Sequence, residues 1–201
     1  MKTVFLALAT LLGAAAFTTS TSNLNLKDAL EQRVVLGTFT GAAGSTHYLK
    51  PLAASFKNLK SYQVSIVIPA GYHFKSVDST VQDIVTTQEQ LLVLKPKEEI
   101  QINLSGMCIQ HHNSAPGEDD AFKFSGWAKP QLKMLAQYLD ENNIQDCKGQ
   151  QAMWVVSDGE DIRNIISLNS EQDRKLADKT AEITGQPKLT DSEYEVLKRD
   201  I

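Results

Sequence analysis

The chain has 201 residues, 42% of them hydrophobic and 22% charged, with a net charge of −4 at neutral pH. That length suits one domain, or one domain with an appendage, and leaves room for a core that needs no covalent staples. The mildly acidic balance argues against a nucleic-acid partner, whose phosphates call for a basic patch, and offers no polybasic attraction to anionic lipid.

Residues 1–22 have the form of an export signal. Lys2 gives a short positive start, Val4 to Phe17 is an uncharged, mostly apolar run of 14 residues, and Ala14-Ala15-Ala16 fits the small-residue cleavage pattern. A run of that length falls short of the ~20 residues a membrane-spanning helix needs. No later apolar run reaches that length, so the mature chain is expected to lack a membrane span. It is expected to be secreted, periplasmic or held at a cell surface.

From residue 23 to about 110 the apolar period is two, which marks strands. Strands are expected over 33–41, 51–57, 62–71, 81–87, 91–96 and 99–109, separated by turn residues. In 62–71, Tyr62, Val64, Ile66 and Ile68 share a face until Pro69 and Gly71 stop the run. In 99–109, Ile100, Ile102 and Leu104 face inward and Gln101 and Asn103 outward. After 110 the period moves toward 3.6. A loop is expected over 111–129, then a helix over 130–143 with Pro130 at its first position and Leu132, Leu135, Ala136 and Leu139 in one stripe. Residues 150–158 suit a short helix, although Val155 and Val156 leave a strand open. Ser170 with Asp173 begins a third helix, which Gly185 and Pro187 end. Thr190 with Glu193 signals a short helix in the tail. The expected fold class is therefore α+β: an antiparallel β-sandwich of immunoglobulin-like size (23–110), a helical part packed on it (111–185) and a C-terminal tail (186–201).

Patterns for catalysis are missing. There is no G-x-S-x-G, H-E-x-x-H or glycine-rich phosphate loop. His111 and His112 are adjacent and lack a second ligand cluster, so they are read as loop histidines and candidate binding residues rather than as metal ligands. Glu118, Asp119 and Asp120 lack the alternation of a calcium loop. Trp154, among Ala152, Met153, Val155 and Val156, suits the core, whereas Trp127, between Gly126 and Lys129, is the candidate exposed platform for a glycan. No metal and no cofactor is expected.

The two cysteines, Cys108 and Cys147, carry the remaining chemistry. In an oxidising compartment two cysteines in a mature chain usually pair. A bond between them would close a 40-residue loop, which the chain-entropy model values at roughly 4 kcal/mol. A second arrangement is carried by Met107-Cys108-Ile109 followed by Gln150-Gln151-Ala152-Met153-Trp154. This resembles the internal thioester domains of Gram-positive surface adhesins, which carry a cysteine between apolar neighbours and, later, a glutamine in a T-Q-x-A-φ-W pattern (φ apolar). The resemblance covers residues 107–154. It implies that Cys108 supplies the thiol and Gln150 the acyl group of a buried electrophile that a partner's amine attacks.

The function expected from the sequence is an exported, non-catalytic β-sandwich module that acts by surface binding or adhesion, on a cell-surface protein or a glycan. The alternatives are covalent adhesion through Cys108 and Gln150, and a hydrolase whose site is assembled from dispersed residues.

Overall fold

The computed structural model describes residues 23–166 and 170–197; the export signal expected over residues 1–22 lies outside them. A two-residue strand β1 (Leu24–Asn25) runs into helix α1 (Leu26–Glu31), capped by the Asn25 side chain, which accepts the Asp28 N–H at 2.9 Å. Strands β2 (Val35–Gly41), β3 (Leu52–Asn58), β4 (Val64–Ile68), β5 (Tyr72–Ser76) and β6 (Asp83–Thr86) come next. They are followed by β7 (Gln90–Leu94), β8 (Glu99–Leu104), β9 (Gly106–Ile109) and β10 (Ala121–Trp127). The chain ends in α2 (Pro130–Glu141), α3 (Cys147–Asp158), a 3-10 turn (Ile162–Ile165), α4 (Glu171–Thr184) and α5 (Asp191–Leu197).

Seven strands form one antiparallel sheet in the order β8-β3-β2-β10-β5-β6-β9. A second sheet, β1-β4-β7, has β4 antiparallel to β7 and β1 parallel to β4. The fold is thus α+β, a β-sandwich with its helices toward the C-terminal end. One core lies between the sheets, with Phe56, Ile66, Phe74 and Leu94 fully buried. The other lies between the helices and the β6–β9 end of the large sheet, where Val85 and Met107 meet Leu135, Leu139 and Met153. Strands β6 and β9 are buried at every position. Both of their faces are covered, which is why "GMCI" reads as a continuous run rather than an alternation.

Strand alternation is preserved where one face meets water. Val64, Ile66 and Ile68 are buried as expected, while Tyr62 lies outside β4 and is exposed. Three expectations need correction. The 99–109 stretch is not one strand: β8 and β9 are opposite ends of the large sheet, which curls until they meet at Ser105. Gln90 Oε1 accepts the Ser105 N–H at 2.9 Å, and the Ser105 hydroxyl donates to Gln88 Oε1 at 3.1 Å, so the corner is pinned. A Cβ on Gly106 would sit 2.9 Å from Ile84 Cγ2, leaving no room for a side chain there. The loop expected over 111–129 contains β10, which pairs with both β2 and β5 inside the sheet. The sheet therefore extends past residue 110 into the segment expected to be helical. Strand β5 and helix α1 were also not foreseen, because each is too short to establish a period. Residues 150–158, left open between helix and strand, are helical within α3.

The helical layer is tied by one buried ion pair. Lys148 Nζ on α3 lies 2.6 Å from Asp173 Oδ1 on α4. Asp173 is fully buried and also serves the capping box that Ser170 begins. The hydrogen bond to Asp173, outweighing desolvation, holds the Lys148 ammonium above its ordinary range. Replacing Lys148 by Met takes the ammonium away from a buried carboxylate, and urea unfolding is expected to show a loss of about 3 kcal/mol. The sign of the pH effect follows from the raised lysine. Its stabilisation is full below the ordinary lysine range and disappears as the pH rises through the raised value. Wild type should therefore lose more stability than Lys148→Met across that alkaline window in pH-dependent thermal unfolding.

Candidate functional site

The outer edge of β9 faces no strand, yet its backbone groups are taken. The Gly106 N–H donates to Leu49 O at 3.0 Å and the Cys108 N–H to His47 O at 2.8 Å. The second partner of Cys108 is a side chain. Gln150 Oε1 accepts the same Cys108 N–H at 2.9 Å, and Gln150 Nε2 donates to Cys108 O at 2.8 Å. The carboxamide thus completes the ladder as a further strand would. Gln150 is 1% exposed and Cys108 fully buried, so water does not compete for these bonds.

Local sequence explains how α3 delivers Gln150. Asp146 caps the helix, accepting from the Lys148 and Gly149 N–H groups at 3.0 and 3.2 Å. Gly149 precedes Gln150 on the first turn of α3. A Cβ there would approach Met107 Cε to 2.7 Å and Ile144 O to 3.2 Å, so the glycine lets α3 settle closely on β9. One turn beyond Gln150, Trp154 is buried as expected. Its indole N–H donates to Gln82 Oε1 at 3.3 Å, and Gln82 Nε2 donates to Asn113 O at 2.8 Å. The indole packs against two imidazoles, with ring centroids 5.1 Å from His47 and 4.5 Å from His111. His47 Nδ1 is buried without a hydrogen-bond partner. Burial holds the His47 imidazole below its ordinary range; Gln82 opposes this and the nearby His111 adds to it.

The disulfide expected between Cys108 and Cys147 is not formed: both cysteines are free, the first buried and the second exposed. Alternation along β9 is the reason. Met107 and Ile109 join the helical core, whereas Cys108 joins the core between the sheets, on the other side from α3. Cys147 opens α3 at its solvent-facing end. Burial also pushes the Cys108 thiol well above the ordinary thiol range, so it stays protonated.

The other candidates fall in two places. His111 sits beside Trp154, with Nδ1 2.8 Å from Glu160 Oε1, and His112 stacks 5.4 Å from His111. Trp127 is 43% exposed, but Tyr72 lies 4.4 Å from its ring and Lys133 Nζ is 3.8 Å from its centroid. Its π-surface is therefore already engaged, which leaves less for a sugar to stack on. Among the described residues no group of three His, Cys, Asp or Glu side chains could hold a metal ion, and no helix is long and apolar enough to cross a membrane. The sequence reading missed His47 and Gln82. Neither belongs to a motif, and only the packing of residues 47–49 and β6 around α3 brings them to the site.

No family model, curated protein or solved structure matches this chain.

Two measurements follow. A thiol reagent should modify Cys147 in the native protein and reach Cys108 only after unfolding, read by peptide mass mapping. Gln150→Ala leaves the Cys108 carbonyl buried without this donor and should lower stability by about 2 kcal/mol in denaturant unfolding.

Proposed function

We propose that the protein is an exported adhesion module that attaches covalently to its partner through a thioester between Cys108 and Gln150. The observation that carries this reading is the buried two-bond contact between the Gln150 carboxamide and the backbone of Cys108. The contact is to the Cys108 backbone; the thiol lies in the core between the sheets, so closing the bond requires the Cys108 side chain to turn toward the edge where Gln150 sits. In the bond-forming step the Cys108 sulfur adds to Gln150 Cδ. The S–C bond forms, the C–Nε2 bond breaks, and the thiol proton leaves with the nitrogen as ammonia. A primary amine of the partner then attacks the same carbon, forming an amide and returning Cys108 to a thiol. No electron is gained or lost in either step.

Two features support this over the plain crosslink. The competing thiol, Cys147, is exposed while Cys108 is buried. The interior around Gln150 also excludes the water that would hydrolyse an acyl group. Export fits the same reading, because the leader-like residues 1–22 would deliver the module to where its partner lies.

Intact mass decides the matter. The mature protein should weigh about 17 Da less than its sequence requires, and methylamine should abolish the deficit by adding to Gln150. Cys108→Ala and Gln150→Ala should each restore the full mass and lose reactivity with amines. A full mass in freshly exported wild type, with two thiols titratable after unfolding, would leave Gln150 as a structural clamp and adhesion as non-covalent.

A further inference from the structure

A second site lies elsewhere on the same face of the large sheet. Between β5, β6 and β9 below and the start of α2 and the end of α3 above is a cleft of ≈ 390 Å³, within the size range of small-ligand sites. At its floor His73 Nε2 lies 2.9 Å from Asp83 Oδ2. Asp83 is 6% exposed, and its other oxygen accepts the Ser76 N–H at 2.8 Å. The carboxylate therefore fixes the imidazole, with Nδ1 unpartnered among the described residues and not shut off from solvent.

The wall beside it is held in a costly conformation. Gln110 has φ +71°, which a residue with a side chain adopts only under constraint. Two contacts hold it: its N–H donates to Asp158 Oδ2 at 3.2 Å, and its Oε1 accepts the Asp83 N–H at 3.1 Å. That second contact orients the side chain and leaves its Nε2 as a donor. Across the cleft, Gln131 gives its Nε2 to Ile183 O at 3.0 Å, which leaves its Oε1 as an acceptor. Lys129 lines the cleft, is exposed and makes no ion pair among the described residues. Ile109, Leu132 and Val156 supply an apolar surface. The Ser157 hydroxyl donates to Asp158 Oδ2 at 2.5 Å, so it is not presented to His73 as a nucleophile would be.

We propose that this cleft binds a sugar acid. Hydroxyls both give and take hydrogen bonds, and the walls offer fixed groups of each kind: Gln110 Nε2 as donor, Gln131 Oε1 as acceptor and His73 Nδ1 beside them. The unpaired Lys129 ammonium meets the carboxylate, and the apolar patch takes the carbon face of the ring. An aliphatic acid would leave most of these polar groups without partners, at a cost that disfavours it. The site is separate from Cys108 and Gln150 and does not depend on their chemistry.

Titration of the ¹⁵N-labelled protein with glucuronate tests this, with glucose as the ligand lacking the carboxylate. Glucuronate should produce saturable shifts of the Gln110 and Gln131 side-chain amide signals, and glucose should bind about tenfold more weakly. Lys129→Met, at an exposed side chain, should keep the unfolding temperature and erase the preference for glucuronate. His73→Gln should weaken both sugars. Absence of saturable shifts overturns the proposal, as does equal affinity for the two sugars in wild type. So does a glucuronate preference that survives Lys129→Met.

Discussion

A single glutamine side chain completes the cover of one edge of the large sheet. A strand at a sheet edge exposes unpaired N–H and C=O groups that must be covered or they invite pairing with another chain. Here the carbonyls of His47 and Leu49 cover part of β9, and Gln150 covers the rest with an amide that mimics a backbone. Because Gln150 belongs to α3, the same two bonds fix the helical layer on the sheet. Met107 and Ile109 can then fill the helical core while Cys108 fills the other.

That arrangement bears on chemistry as well as packing. A buried carboxamide must be fully bonded, and the groups that bond it belong to the residue that carries the thiol. Burial keeps the Cys108 thiol protonated and out of reach of alkylation and disulfide exchange. The His47 backbone is part of the same covered edge, and its ring rests against Trp154. Sheet edge and helical layer thus draw on one small set of contacts along β9.

Polar side chains recur between the layers, and three of them are satisfied in more than one way. Asp173 joins a cap to the Lys148 ion pair, Asp83 joins a backbone N–H to His73, and Gln82 links Trp154 to the loop at Asn113. Buried groups of this kind are tolerated because partners compensate their lost hydration. They also set the register between sheet and helices, since an apolar interface alone would allow sliding.

Much of this was legible in the residues themselves. Alternation located β2, β3, β4, β7 and the inward positions of β8, turn residues on either side bounded β6, and cap chemistry placed both ends of α4 through Ser170, Asp173 and Gly185. These signals are local: they depend on side-chain period and on backbone groups a few residues away. Strand β10 was not legible, because "AFKFSGW" has a weak alternation and follows a loop rich in turn residues. The split of 99–109 at Ser105 was hidden too, since a curl of the sheet leaves no mark on period. The cysteines show the limit most clearly. Their number and the compartment favoured a bond between them, but which face of β9 carries Cys108, and which end of α3 carries Cys147, is decided only when helix and sheet pack. The motif around Gln150 was visible as spacing, whereas its contact with Cys108 spans 42 residues of chain and exists only because the tertiary fold brings a helix turn to a strand edge.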